Sequence, residues 1–124
     1  MNEHESPNEV PGRKDDSGKL DMTLLDDMPR AVAAVVEVMQ WAITKKQPLP
    51  YQRSSWLGVS ADRYRAAIGR HANEAAKQTA CPGNTAPIRE QRDAETNLLH
   101  LAHLACSAMM ALENTLREIE SRGG

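Results

Sequence analysis

"RAVAAVVEVMQWAIT", residues 30–44, is the stretch on which the fold turns. Its valines would suit a strand. Its spacing does not: Val32, Val35, Val36, Met39 and Ile43 recur at steps of three and four, the period of a helix. The run is also long for a strand, so the sequence predicts a first helix ending near Lys46. Asp26 or Asp27 offers a cap, Pro29 suits a first turn, and Leu24 or Leu25 can staple the entry. The Lys45–Lys46 pair then faces the negative end of the helix dipole.

Working outward, "QPLPYQRSSWLGVS" (47–60) is loop, broken by prolines and a glycine. Ser60 caps a second helix, "ADRYRAAIGRHANEAAKQT", on which Tyr64, Ile68, His71 and Ala75 form one stripe. Arg63, Ala67, Arg70 and Glu74 form the neighbouring stripe. After the loop "ACPGNTAP", Thr85 and Pro87 open a third helical region reaching about Ser121. Its apolar face is Leu98, Leu101, Ala105, Ala108, Leu112, Leu116 and Ile119. Thr96 is a good N-cap, so a break near Thr96–Asn97 would give a fourth helix. The fold class is therefore all-α, a bundle of three main helices. Residues 1–17 read as a disordered tail, and 18–122 as one helical domain.

Composition narrows the function. The 124 residues carry 15 basic and 17 acidic side chains, a formal charge of −2, which argues against a general nucleic-acid binder. No apolar run approaches the roughly 20 residues needed to cross a bilayer. The polar start "MNEHESPNEVPGRKDD" has no signal-peptide core. Cys81 and Cys106 read as reduced thiols, and the expected compartment is the cytoplasm. Walker, GxGxxG, GxSxG and CxxC patterns are all absent.

The chemistry concentrates in "DAETNLLHLAHLAC" (93–106). On an unbroken helix Asp93, Asn97, His100 and His103 fall near one face, while Glu95 points about 140° away from His100. A break at Thr96 frees Glu95 to turn inward. Carboxylates here suit Mg²⁺ or Mn²⁺ and, through the metal, phosphate. The plainer alternative is a helix start with acidic groups favouring the dipole and histidines packed at an edge. His71, on the apolar stripe of the second helix, is either a ligand or a satisfied core histidine. Lys45, Lys46, Arg63 and Arg70 either gather round a triphosphate or form a solvated face. Glu37 reads as a helix-flank carboxylate, or else a buried one. Trp56 and Tyr51 either stack on a base or plug the end of the bundle.

Taken in order, "SGKLDMTLLDDMPRAVAAVVEVMQWAITKK", a Trp-bearing loop, "RYRAAIGRH" and "DAETNLLHLAHLACSAMMAL" resemble the N-terminal domain family of phage dATP/dGTP diphosphohydrolases. The resemblance covers about residues 17–113 and is most specific at Arg70–His71 and at Asp93, Glu95, His100 and His103. It implies a small all-α enzyme similar to MazG-like nucleotide pyrophosphohydrolases. Such enzymes use Mg²⁺ or Mn²⁺, cleave a nucleoside triphosphate to monophosphate and pyrophosphate, and assemble as dimers or tetramers. On that basis Asp93 and Glu95 are metal-binding carboxylates, and His71 and His100 are ligands or phosphate contacts with catalytic roles. Arg70 is a phosphate clamp, and Trp56 sits near the base; Lys45 and Arg63, not carried by the resemblance, are substrate contacts only on the reading in which the cations gather round a triphosphate. Asn97 replaces the glycine of the family's Asp-x-Glu-Thr-Gly, and the acidic Glu-Glu-x-x-Glu ladder of typical MazG enzymes is absent.

Two functions compete. One is metal-dependent hydrolysis of a purine deoxynucleoside triphosphate in the cytoplasm, with no nucleic-acid or membrane partner, by a homodimer or homotetramer. The other is a non-catalytic phage or prophage protein that binds a protein partner through its C-terminal helix. The first requires Asp93, Glu95, His71 and His100 to converge; the second predicts an exposed apolar strip along the last helix.

Overall fold

A computed structural model describes residues 17–123 and is all-α. Its main helices are α1 (Pro29–Thr44), α2 (Ala61–Thr79) and α3 (His100–Ser121). Short 3-10 turns occupy Met22–Asp27, Ser55–Gly58 and Ile88–Glu90. The tail expected over residues 1–17 lies, apart from Ser17, outside the described residues. Among the described residues no helix is long and apolar enough to cross a membrane.

The valine-rich stretch is helical, with Pro29 at its first position. Its start differs from the expectation. Asp26 and Asp27 lie within the preceding 3-10 turn, and Met28 takes the cap position without a side-chain bond. Asp21 does the capping one turn earlier, its carboxylate accepting the Thr23 N–H at 3.1 Å. Ser60 caps α2 as read, accepting from the Arg63 N–H at 3.4 Å. Tyr64, Ile68, His71 and Ala75 all face inward to some degree, whereas Arg63, Arg70 and Glu74 are exposed.

The third helical region departs most. The break is wider than Thr96–Asn97: only Ile88–Glu90 coils before it, and α3 begins at His100. Residues 91–99 instead fold back on themselves, with an isolated antiparallel bridge between Arg92 and Leu99. Asp93 and Glu95 therefore sit on a tight turn and not on a helix.

The apolar face read for α3 lies largely outward, as the second hypothesis expects of it. Leu101, Leu112 and Leu116 are 53%, 59% and 53% exposed, and Ala105, Ala108 and Ile119 are exposed too. The buried residues of α3 are His100, Ala102, Cys106 and Asn114. That face meets both α1 and α2, while the backbones of α1 and α2 do not approach each other within 8 Å. The three main helices thus form the expected bundle with α3 in the middle, open between α1 and α2. So open a bundle leaves few apolar side chains fully buried: Val35, Ala75, Ala102 and Cys106 among the described residues. Gln91, His100 and Asn114 are buried beside them. Asn114 ties α3 to the loop before α2, its amide donating to the Val59 carbonyl at 2.7 Å.

Candidate active site

The site is built on the turn between Gln91 and His100. Gln91 is buried, and its side chain pairs reciprocally with Asn84 at 2.9 and 3.0 Å while donating to the Ala86 carbonyl at 2.8 Å. Its backbone carbonyl accepts the His100 N–H at 3.0 Å, which fixes where α3 starts. Across the turn, Asp93 N–H donates to Leu98 O and Asn97 N–H to Asp93 O, both at 2.8 Å. Closing so tight a loop requires a left-handed residue, and Asn97 supplies it at φ 60°. Asparagine is one of the few side chains that tolerates this region, so the turn closes without a glycine at this position.

The turn divides the labour of the Asp93 carboxylate. Oδ2 accepts the N–H groups of Glu95 and Thr96 at 3.0 and 2.9 Å, an Asx-type arrangement. Oδ1 stands 3.8 Å from His71 Nδ1. His71 comes from the inward stripe of α2, and its Nδ1 lies 2.9 Å from Nδ1 of His100. His100 is 1% exposed, and its Nε2 lies 3.0 Å from Gln78 Oε1. The Gln78 amide nitrogen donates to the Arg92 carbonyl at 2.8 Å, which turns Oε1 toward the ring. His100 Nε2 is consequently the donor, and in the neutral ring the lone pair on Nδ1 is aimed at His71.

A third histidine completes the cluster. The His103 ring stacks on His71 with centroids 4.4 Å apart and planes 8° from parallel. Its Nε2 lies 2.7 Å from Thr96 Oγ1, which also accepts the Leu98 N–H at 3.1 Å. Burial, reinforced by the neighbouring His103, pushes the pKa of His71 down, with Asp93 opposing. Burial likewise lowers His103 against the pull of Asp93. For Asp93, burial acts upward, yet the Thr96 N–H, the two histidines and the Glu95 N–H together hold its carboxyl below the usual carboxylate range. Neutral imidazoles beside an ionised carboxylate are the protonation states that metal binding needs.

The ligand atoms of His71, Asp93 and His100 all lie within 4.8 Å of one another. The sequence carries one further finding about them: the model of the family described as dATP/dGTP diphosphohydrolase, N-terminal, matches residues 9–122. The chain belongs to the dATP/dGTP diphosphohydrolase N-terminal family. No curated relative and no solved structure matches it.

In this diphosphohydrolase-family chain the donor set fits a divalent cation. Ligands at bond lengths of about 2.1 Å stand about 3 Å apart when cis in an octahedron, and the two Nδ1 atoms are 2.9 Å apart. The outer groups fit as well: Gln78 orients His100, and backbone N–H groups orient Asp93, as metal ligands ordinarily require.

The remaining expected residues are distributed round this trio. Glu95 rides the same turn, but its exposed carboxylate pairs with Lys46 Nζ at 3.1 Å. Lys45 lines a cleft of about 510 Å³ between α1 and the Arg92–Leu98 turn. Arg70 is exposed beside His71, and its charge adds to the depression of that imidazole. Arg63 lies eight residues before His71 on α2, about 12 Å along the axis. Trp56 lines a separate hollow of about 260 Å³ with Val35, Met39 and Cys106, away from the trio. Glu37 is exposed and lines the larger cleft.

Gln78, Thr96, Arg92 and Trp41 were not expected at the site. Gln78 alone had a local signal: it lies two turns beyond His71 on the same face of α2. The others reach the site through the fold of the turn.

Proposed function

We propose that the chain is a metal-dependent hydrolase that converts a purine deoxynucleoside triphosphate, dATP or dGTP, to its monophosphate and pyrophosphate. The convergence of His71, Asp93 and His100, in a chain of a diphosphohydrolase family, carries this reading. The three residues would hold Mn²⁺ or Mg²⁺. Two imidazoles beside one carboxylate suit Mn²⁺ better than Mg²⁺. The bound ion supplies charge that offsets the phosphates and favours ionisation of water.

The chain's own groups complete the chemistry. Water attacks the α-phosphorus, forming a new P–O bond as the bond to the bridging α–β oxygen breaks. Pyrophosphate leaves with that electron pair. The water's proton passes to His103 at Nε2, with Thr96 Oγ1 turning from donor to acceptor. Asp93 stabilises the imidazolium that results. Lys45, Arg92 and Arg70 are the cations available to the phosphates, and Glu95 with Lys46 borders them.

The rival reading has one observation in its favour, the exposed apolar strip of α3. A second copy of the chain is the occupant we propose for it. An open bundle of three helices with so few buried apolar residues requires another layer to close its core. A homodimer, or a homotetramer of such dimers, supplies one without altering the turn that carries Asp93. The thiols of Cys81 and Cys106 are both free, in keeping with a cytoplasmic protein.

Product analysis tests the function. The purified protein is incubated with each common NTP and dNTP in Mg²⁺ and in Mn²⁺. The proposal expects monophosphate and pyrophosphate from a purine dNTP, and none from the Asp93→Asn variant. A folded protein that releases neither product with either metal overturns it.

A further inference from the structure

Glu37, Gln40, Trp41, Thr44 and Lys45 recur at i, i+3, i+4, i+7 and i+8 on α1 and so share one face. That face forms one wall of the 510 Å³ cleft. The opposite wall is the turn through Arg92, Thr96 and Leu98, whose Asp93 belongs to the metal-capable trio. The volume falls in the range of about 300–1,000 Å³ usual for small-molecule sites.

The cleft is chemically ordered along its length. Glu37 and Gln40 stand at one end, and neither side chain has a hydrogen-bond or ion-pair partner among the described residues. Lys45 stands about 12 Å further along, eight residues at 1.5 Å each, and Arg92 faces the helix from the turn. The half-buried Trp41 indole lies between the ends. Its ring is also 5.9 Å from Lys46 Nζ, whose partner Glu95 is on the same turn as Asp93. A flat aromatic surface, free acceptors at one end and cations at the other match a purine nucleoside phosphate with its phosphates toward the trio.

We infer that this cleft is the base subsite, with Trp41 as the stacking platform and Glu37 as the reader of the guanine edge, so that dGTP is preferred to dATP. The inference rests on the hydrolase reading above. Guanine offers N1–H and the N2 amino group side by side, and one ionised carboxylate accepts from both. Adenine offers an acceptor at N1, which would face the carboxylate with no proton between them. Unpaired polar groups of this kind are what make such sites selective. Trp56 has no part in the subsite, because it lines the other hollow.

Two measurements test this together. The first is kcat/KM for dGTP and dATP in the wild type and in Glu37→Gln, a change at an exposed, unpartnered position. The second is indole fluorescence on titration with dGMP, once in a Trp56→Phe background, where Trp41 is the sole tryptophan, and once in Trp41→Phe. The inference expects a guanine preference of about tenfold or more that Glu37→Gln removes, and quenching of Trp41 but not of Trp56. If the wild type hydrolyses dNTPs while Glu37→Gln leaves the preference unchanged and Trp41 is silent, the base subsite is wrong and the hydrolase reading stands. If the wild type neither hydrolyses nor binds any nucleotide, both fall.

Discussion

His71 and His100 are 29 residues apart in the chain, yet their Nδ1 atoms meet at 2.9 Å, with the Asp93 carboxylate 3.8 Å from His71. Two bare nitrogens cannot share that distance without a proton or a cation between them. Gln78 gives the meeting its sense, because it holds His100 Nε2 as the donor and leaves Nδ1 to accept.

The metal affinity of the protein should therefore depend on Gln78 as well as on the ligands. Titration with Mn²⁺, read by the EPR signal of the free ion, is expected to show binding that Asp93→Ala abolishes. Gln78→Leu should weaken it by about 10- to 100-fold, the usual effect of losing a ligand's outer partner. Equal affinity in wild type and Asp93→Ala would place the ion elsewhere.

Asn97 should be more tolerant of glycine than of alanine. At φ 60° a β-carbon is strained, so Asn97→Ala is expected to cost about 1 kcal/mol and Asn97→Gly little or nothing. Urea unfolding of the three proteins measures the difference. A less stable glycine variant would mean that the turn depends on the Asn side chain and not on its backbone.

The two thiols should differ in reactivity. Cys106 is buried, and burial pushes its thiol up to about 11, whereas Cys81 is exposed. With a thiol reagent at pH 8, Cys81 is expected to react at once and Cys106 only when the protein is unfolded, since the thiolate is the reacting form. Two equally fast thiols in the native protein would show that α3 does not pack as described.

A charge in the α3 strip should cost assembly before it costs folding. Leu112 and Leu116 are more than half exposed in the single chain, so Leu112→Glu with Leu116→Glu is expected to leave the circular dichroism helical. Sedimentation should then show a monomer where the wild type shows a dimer or larger species. A wild type that sediments as a monomer would refute the second-copy proposal.

Local patterns were legible and non-local ones were not. Pro29 and the 3,4 spacing from Val32 to Ile43 are enough to read α1, and Ser60 with the Tyr64–Ala75 stripe is enough to read α2. Spacing identifies an apolar face but not what covers it, so the sequence alone leaves open whether the Leu101–Ile119 face is buried or, as the structure has it, an exposed strip. The turn at 91–99 is hidden for another reason. Thr96 has the chemistry of a helix cap, but Gln91, pinned by Asn84, accepts the His100 N–H and sets the helix start there. Asp93, His71 and His100 stood out through their order in the family pattern. Trp41 carries no signal of its own in the sequence, and only the folded turn opposite it reveals a cleft wall.

The most direct test of the central claim is a phosphorus NMR spectrum of dGTP incubated with the protein and Mn²⁺, beside the same reaction with Asp93→Asn and with Glu95→Gln. The account predicts dGMP and pyrophosphate from the wild type, neither product from Asp93→Asn, and retained turnover in Glu95→Gln, whose carboxylate pairs with Lys46 outside the trio. Intact dGTP in every tube, or products undiminished in Asp93→Asn, would contradict it.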